Sequence, residues 1–150
     1  MIDRFELFTN TISEISHYWN RIATVEMEKY GLKGLYALYI VTLYRNPDGI
    51  TATQLCEISN KDKAEISRAV SMLEKKGLII REKVTSNSYR ALLKLTGEGV
   101  SLAEVLCGRV NVIVEGASNG VSREELETFY RVFGTIAGNL KAISREGTVK

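Results

Sequence analysis

The chain has 150 residues, 45% hydrophobic and 25% charged, enough to bury a core of its own. Its apolar content is too high and its net charge of +2 too small for a disordered chain. No apolar run approaches the ~18 residues of a membrane span, the Met-Ile-Asp-Arg start lacks a signal-peptide core, and Cys56 and Cys107 make neither a disulfide framework nor a metal site. A cytoplasmic protein without a cofactor is expected.

A single proline, Pro47, leaves most of the chain free to be helix. At the N-terminus Phe5, Phe8, Ile12, Ile15, Trp19 and Ile22 follow one another at spacings of 3 and 4. That register predicts one long amphipathic helix over about residues 3–29. Periodicity alone reads equally as the core of a monomeric bundle or as the seam between two subunits.

The next segment predicts helix, helix, helix, strand, turn, strand over residues 34–96. Leu35, Leu38, Val41 and Leu43 support a helix that stops at Asn46-Pro47-Asp48-Gly49, a strong turn signal. Thr51 to Gln54 is a capping box opening a short helix with Leu55 and Ile58 inward, and Ser59-Asn60 breaks it. Asp62 to Glu65 is a second capping box, opening a helix to about Lys76 that buries Ile66, Val70 and Leu73. Gly77 suits the position just past its end. A short helix, a tight turn and a second capped helix make a helix-turn-helix. The apolar runs 78–84 and 89–95 around a turn at 85–88 then predict a β-hairpin, which makes the segment a winged helix-turn-helix.

Two helices complete the chain. One spans about residues 97–115 and carries Val100, Leu102, Val105, Leu106, Val110, Ile113 and Val114. The other opens at the capping box Ser122 to Glu125 and carries Leu126, Phe129, Phe133, Ile136, Leu140 and Ile143, again at spacings of 3 and 4. These terminal stripes flank a segment that already reads as a complete small domain, so they need something else to bury against. The expected fold is mainly α with a small β-hairpin wing.

The stretches GLYALYIVTLY, GITATQLCE, DKAEISRAVSMLEKKGLIIR and YRALLKLTGEG, in that order, resemble the MarR family of bacterial transcription regulators. The resemblance covers essentially the whole chain. It implies a winged helix-turn-helix over 34–96, an N-terminal dimerisation helix over 3–30 and C-terminal dimerisation helices over 97–145. The dimer seam would then take Phe5, Phe8, Ile12, Ile15, Leu126, Phe129, Phe133, Ile136 and Leu140. One motif departs from the family pattern: where an Asp-x-Arg motif is common in the wing, Asn87 and Tyr89 stand at the Asp and Arg positions, with Arg90 one residue on. The link from that Asp to the arginine closing the first strand, here Arg81, would lose its charge, and Arg81 reads as structural.

Charge partition points the same way. Residues 51–96 hold nine basic and five acidic side chains, a net of +4, against −2 for the remainder. A basic segment in an otherwise acidic chain suits phosphate contact, although solvated helix faces often look alike. On the second helix of the motif the face opposite Ile66, Val70 and Leu73 presents Lys63, Ala64, Ser67, Arg68 and Ser71. Lys63 and Arg68 can reach phosphate or guanine, the serines are adaptable hydrogen-bonders, and Ala64 can pack on a thymine methyl. Thr51 and Thr53 sit at a helix start that favours phosphate. Lys61 adds charge, and Lys83, Asn87, Ser88 and Arg90 are the wing candidates for backbone or minor-groove contact.

The expected function is therefore a DNA-binding transcription regulator, a repressor, acting as a homodimer on an inverted repeat with half-sites about 10–10.5 bp apart. The alternative is a winged helix used as a protein-interaction module. The resemblance also implies release by a small anionic or phenolic effector, in a region lined here by His17, Tyr18, Arg21, Tyr36, Tyr39 and Tyr44. Taken one by one, those side chains read rather as interface or core residues with a satisfied polar tip. With one histidine, no metal-ligand cluster and no glycine-rich phosphate loop, the pattern does not suggest an enzyme.

Overall fold

The computed structural model describes residues 2–84 and 90–146. In chain order these form α1 (Ile2–Glu28), α2 (Tyr36–Tyr44), α3 (Ala52–Ser59), α4 (Lys63–Lys75), β1 (Ile79–Lys83), β2 (Ala91–Leu95), α5 (Gly97–Ala117) and α6 (Arg123–Glu146). The chain divides into two units, residues 1–108 and 109–150, with the boundary inside α5. No helix among the described residues is long and apolar enough to cross a membrane.

Helix starts follow local chemistry. At α3 both halves of the capping box form: Gln54 N–H donates to Thr51 Oγ1 at 3.1 Å, and Thr51 N–H to Gln54 Oε1 at 2.8 Å. At α6 the same reciprocal pair joins Ser122 and Glu125, and the Ser122 N–H holds the Glu125 carboxyl below its ordinary pKa. At α4 the expected capping box is corrected to a single cap: Asp62 accepts from Glu65 N–H at 2.8 Å, and the Glu65 side chain does not return the bond.

Helix ends follow it too. Asn60 closes α3 in the left-handed region at φ 53°. Past α4, Gly77 takes φ 72°, its N–H reaches Glu74 C=O, and Leu78 N–H reaches Leu73 C=O at 3.0 Å. These two bonds are the Schellman arrangement that needs glycine at this position.

The core of unit 1 gathers around α2, α3 and α4. Tyr36, Tyr39, Ile40 and Leu43 of α2 meet Leu55 of α3, Ile66, Ala69, Val70 and Leu73 of α4, Ile79 and Leu93 of the hairpin, and Leu102, Ala103 and Leu106 of α5. Packing decides which faces of α2 and α3 turn inward, and at Ile58 it corrects an expectation. Leu38 is exposed, because α2 is apolar almost all round and its core face is the 36-39-40-43 stripe. Ile58 is also exposed, because the short α3 buries Leu55 and, one turn on, Ser59; the Ser59 hydroxyl is satisfied by Leu55 C=O at 2.6 Å.

The hairpin is antiparallel, with Ile79 opposite Leu95, Arg81 opposite Leu93 and Lys83 opposite Ala91. Opposite residues share a face, so Arg81 lies on the inward side with Ile79 and Leu93. A single-residue bridge, not foreseen, adds to it: Ile50 exchanges both backbone hydrogen bonds with Leu93, at 2.7 and 3.2 Å. The turn around Pro47 thereby returns the chain to the sheet before α3 begins. Thr96 locks the start of α5 by donating its hydroxyl to Gly77 C=O at 2.6 Å while accepting from Gly99 N–H. A Cβ on Gly99 would stand 2.1 Å from Leu78 C=O, so only glycine permits this approach of α5 to the chain entering the wing.

Candidate nucleic-acid interface

The outward face of α4 is as its periodicity predicts. Ile66, Ala69, Val70 and Leu73 are buried, while Lys63, Ala64, Ser67, Arg68 and Ser71 are exposed. Among the described residues neither Lys63 nor Arg68 is held in an ion pair, so both charges are available to a partner. Rigid burial of one face presents the other as a fixed array of two cations, two hydroxyls and a methyl.

Around this array the remaining candidates separate. Thr53 is exposed at the start of α3, whereas the Thr51 hydroxyl is spent on the cap. The first-turn N–H groups that helix geometry leaves unpaired still point out there. Lys61 is half-buried in the turn between α3 and α4, and Lys83 and Arg90 are exposed at the outer end of the hairpin stem. Asn87 and Ser88 lie outside the described residues.

Sequence reasoning missed the group that ties these parts together. Arg81 Nε donates to the Glu74 carboxylate, an ion pair that links β1 to the last turn of α4. On the outer face of the hairpin Lys94 pairs with Glu82 at 2.6 Å. Arg81 is structural as expected, but through a helix carboxylate seven residues upstream, a spacing visible in the sequence only once the hairpin's inward face is known.

The expected effector residues are not assembled into one lining. His17, Tyr18 and Arg21 are exposed on α1, where the His17 and Tyr18 rings meet edge to face with centroids 5.2 Å apart. Tyr36 and Tyr39 are core residues, packed ring to ring at 5.8 Å, because the 36-39-40-43 stripe faces inward; Tyr44 is exposed. An open hollow of about 470 Å³ lies elsewhere in unit 1, lined by Tyr30, Lys76, Leu78, Ser101, Leu102 and Val105. Lys76 Nζ stands 3.3 Å from Tyr30 C=O there. No group of three His, Cys, Asp or Glu side chains among the described residues could hold a metal ion.

Tyr39 carries an internal test of this packing. Its hydroxyl is fully buried with no hydrogen-bond partner among the described residues, and burial, reinforced by Glu65, pushes its pKa up to about 12. The folded state then holds the phenolic proton more tightly than the unfolded chain, whose tyrosine titrates near 10. Stability from this group is present below pH 10 and is lost as pH rises from 10 towards 12, by up to about 2–3 kcal/mol. Tyr39→Phe, which removes the orphaned hydroxyl, is expected to match or exceed wild-type stability at pH 7 by about 1 kcal/mol and to flatten the alkaline decline. Urea melts at pH 7, 10 and 11 check this; identical pH dependence in the two proteins would refute it.

A helix-turn-helix followed by an antiparallel hairpin, with a basic outward helix face, defines the winged helix-turn-helix class. The MarR family model matches residues 30–104, half of the chain, and the chain belongs to that family. Solved structures share the fold over nearly the whole length. A MarR-family transcriptional regulator from Listeria monocytogenes, solved with a 26mer DNA, is 23% identical with a TM-score of 0.85, covering 95% of this chain and 96% of its own. The transcriptional regulator SlyA is 21% identical with a TM-score of 0.85, covering 94% and 99%. The MepR–DNA complex from S. aureus is 22% identical with a TM-score of 0.78, covering 89% and 96%.

Proposed function

We propose that the chain binds double-stranded DNA sequence-specifically, as a homodimer on an inverted repeat, and represses transcription from the site it occupies. The observation that carries this is the outward face of α4, with Lys63, Ala64, Ser67, Arg68 and Ser71 exposed on a helix whose other face is locked in the core. Residues of these types read guanine, adenine and thymine edges in a major groove. Lys61, Thr53, Lys83 and Arg90 would contact the flanking backbone, and the N–H groups behind Thr51 would face a phosphate. Solved DNA complexes of proteins with this fold support the reading.

The dimer rests on unburied apolar surface. On α1, Phe5, Phe8, Ile12, Ile15, Trp19 and Ile22 are all exposed; on α6, Phe129, Phe133, Leu140 and Ile143 are exposed, while Leu126 and Ile136 are half-buried. Stripes of that kind are covered in solution, and the family membership makes a second copy the fitting cover. Residues 3–30 and 97–145 would then serve dimerisation, and 34–96 DNA contact. The same reading includes release of DNA by a small anionic or phenolic effector.

Recovery of genomic DNA fragments by the purified protein, at 50 and at 200 mM salt, tests the reading. The expected result is an enriched inverted repeat. If Lys61, Lys63, Lys83 and Arg90 of two protomers each neutralise a phosphate, log K falls against log salt with a slope of about −7. A winged helix serving protein interaction alone would enrich no sequence.

A further inference from the structure

We infer that Glu74 is a positioning residue for DNA contact: through Arg81 it holds the wing stem at a fixed angle to the recognition helix α4. The inference rests on the proposed reading of the chain as a DNA-binding protein.

Two observations carry it. The first is place. Arg81 is the inward-facing position next after buried Ile79, at the point where the hairpin leaves the core, and beyond it the stem residues Glu82, Lys83 and Val84 are exposed. Its bond to Glu74 is thus the outermost described side-chain link between α4 and β1. Lys83 lies two residues further along the strand, about 7 Å beyond Arg81, and pairs in register with Ala91, the neighbour of Arg90. The direction of both wing cations is therefore set from the Glu74–Arg81 link.

The second is the face on which Glu74 stands. It follows Ser67 and Ser71 at spacings of 4 and 3, so it borders the outward stripe of α4. A carboxylate at the edge of a phosphate-facing surface repels DNA unless a cation neutralises it, and Arg81 does so.

The sign of one substitution separates positioning from simple electrostatics. Glu74→Gln removes a negative charge near DNA, which by itself tightens binding. If Glu74 positions the wing, the same change weakens binding, by about 5- to 10-fold, and lowers the salt slope by about 1 per half-site as a wing cation loses its phosphate. The pair is half-exposed, with side chains 46% and 34% accessible, so the melting temperature should move by no more than about 2 °C. Arg81→Gln should weaken binding further, and the double variant should be no weaker than Arg81→Gln alone, because both changes break one link.

DNA affinity by fluorescence anisotropy at several salt concentrations, with thermal melts of each variant, reads all of this. Tighter or unchanged binding by Glu74→Gln overturns the inference, as does full additivity of the two substitutions. A loss of melting temperature large enough to account for the weaker binding assigns the pair to stability and overturns it as well. Failure of the wild-type protein to bind any DNA overturns the proposed function instead, which keeps the two failures distinct.

Discussion

On the proposed reading, Arg68→Ala is expected to weaken binding to the operator by at least ~30-fold while leaving the fold intact. Arg68 stands midway along α4, one turn from Ala64 and from Ser71, on the face opposite Ile66, Val70 and Leu73. It is exposed and takes no ion pair among the described residues, so the free protein loses nothing by its removal beyond about 0.5 kcal/mol. Against DNA, an arginine presenting two parallel N–H donors to guanine is worth about 1–3 kcal/mol. A two-fold dimer uses the residue twice, which makes the summed loss about 2–6 kcal/mol. The loss should concentrate on one base pair of each half-site and relax specificity there. Lys63→Ala, at the first turn of the same helix, should instead weaken all sequences alike and lower the salt slope. Binding to a panel of single-base operator variants distinguishes the two; an Arg68→Ala protein with wild-type affinity and specificity would remove α4 from the recognition role.

If the chain pairs as proposed, Phe129→Glu combined with Phe133→Glu is expected to convert that dimer to a monomer. The two rings stack at 5.1 Å with their planes 17° apart, and both remain more than 40% exposed on α6. Burying a phenylalanine against a partner contributes about 1.5–3 kcal/mol, and a carboxylate forced into the same apolar seam costs several more. Two copies of two such changes exceed the free energy of a micromolar dimer, about 8 kcal/mol. Sedimentation equilibrium should show a dimer for the wild type at low micromolar concentration and a monomer for the variant up to about 100 µM. Operator binding should fall in parallel, since one protomer reaches only one half-site. The helical content should persist, because neither ring belongs to the buried core of unit 1. A monomeric wild type would show that the stripe on α6 is covered by something other than a second copy.

What could be read in the sequence was what neighbouring residues decide among themselves. The caps at Thr51, Asp62 and Ser122, the left-handed break at Asn60 and the Schellman end at Gly77 depend on backbone groups within four or five residues, so each stood in the order of letters. The helix-turn-helix, the outward face of α4 and the apolar stripes of α1 and α6 followed from those ends plus a 3.6-residue period.

Only the tertiary structure decided what depends on which surfaces meet. Helix α2 is apolar nearly all round, so periodicity could not choose between the Leu38 side and the Tyr36–Tyr39 side; packing of α3 and α4 against it did. That choice placed Tyr36 and Tyr39 in the core, the reading favoured for each of them singly. Ile50 has no strand pattern of its own, and its pairing with Leu93 exists because the Pro47 turn brings it back to the sheet. The small residue Gly99 gained its meaning from Leu78, twenty-one residues away in the chain. The same holds for charge. A count of +4 over residues 51–96 marked the segment as basic, but not that one acid within it, Glu74, would be answered by Arg81. Charges exert their effect over distances in space, and the sequence orders them only along the chain.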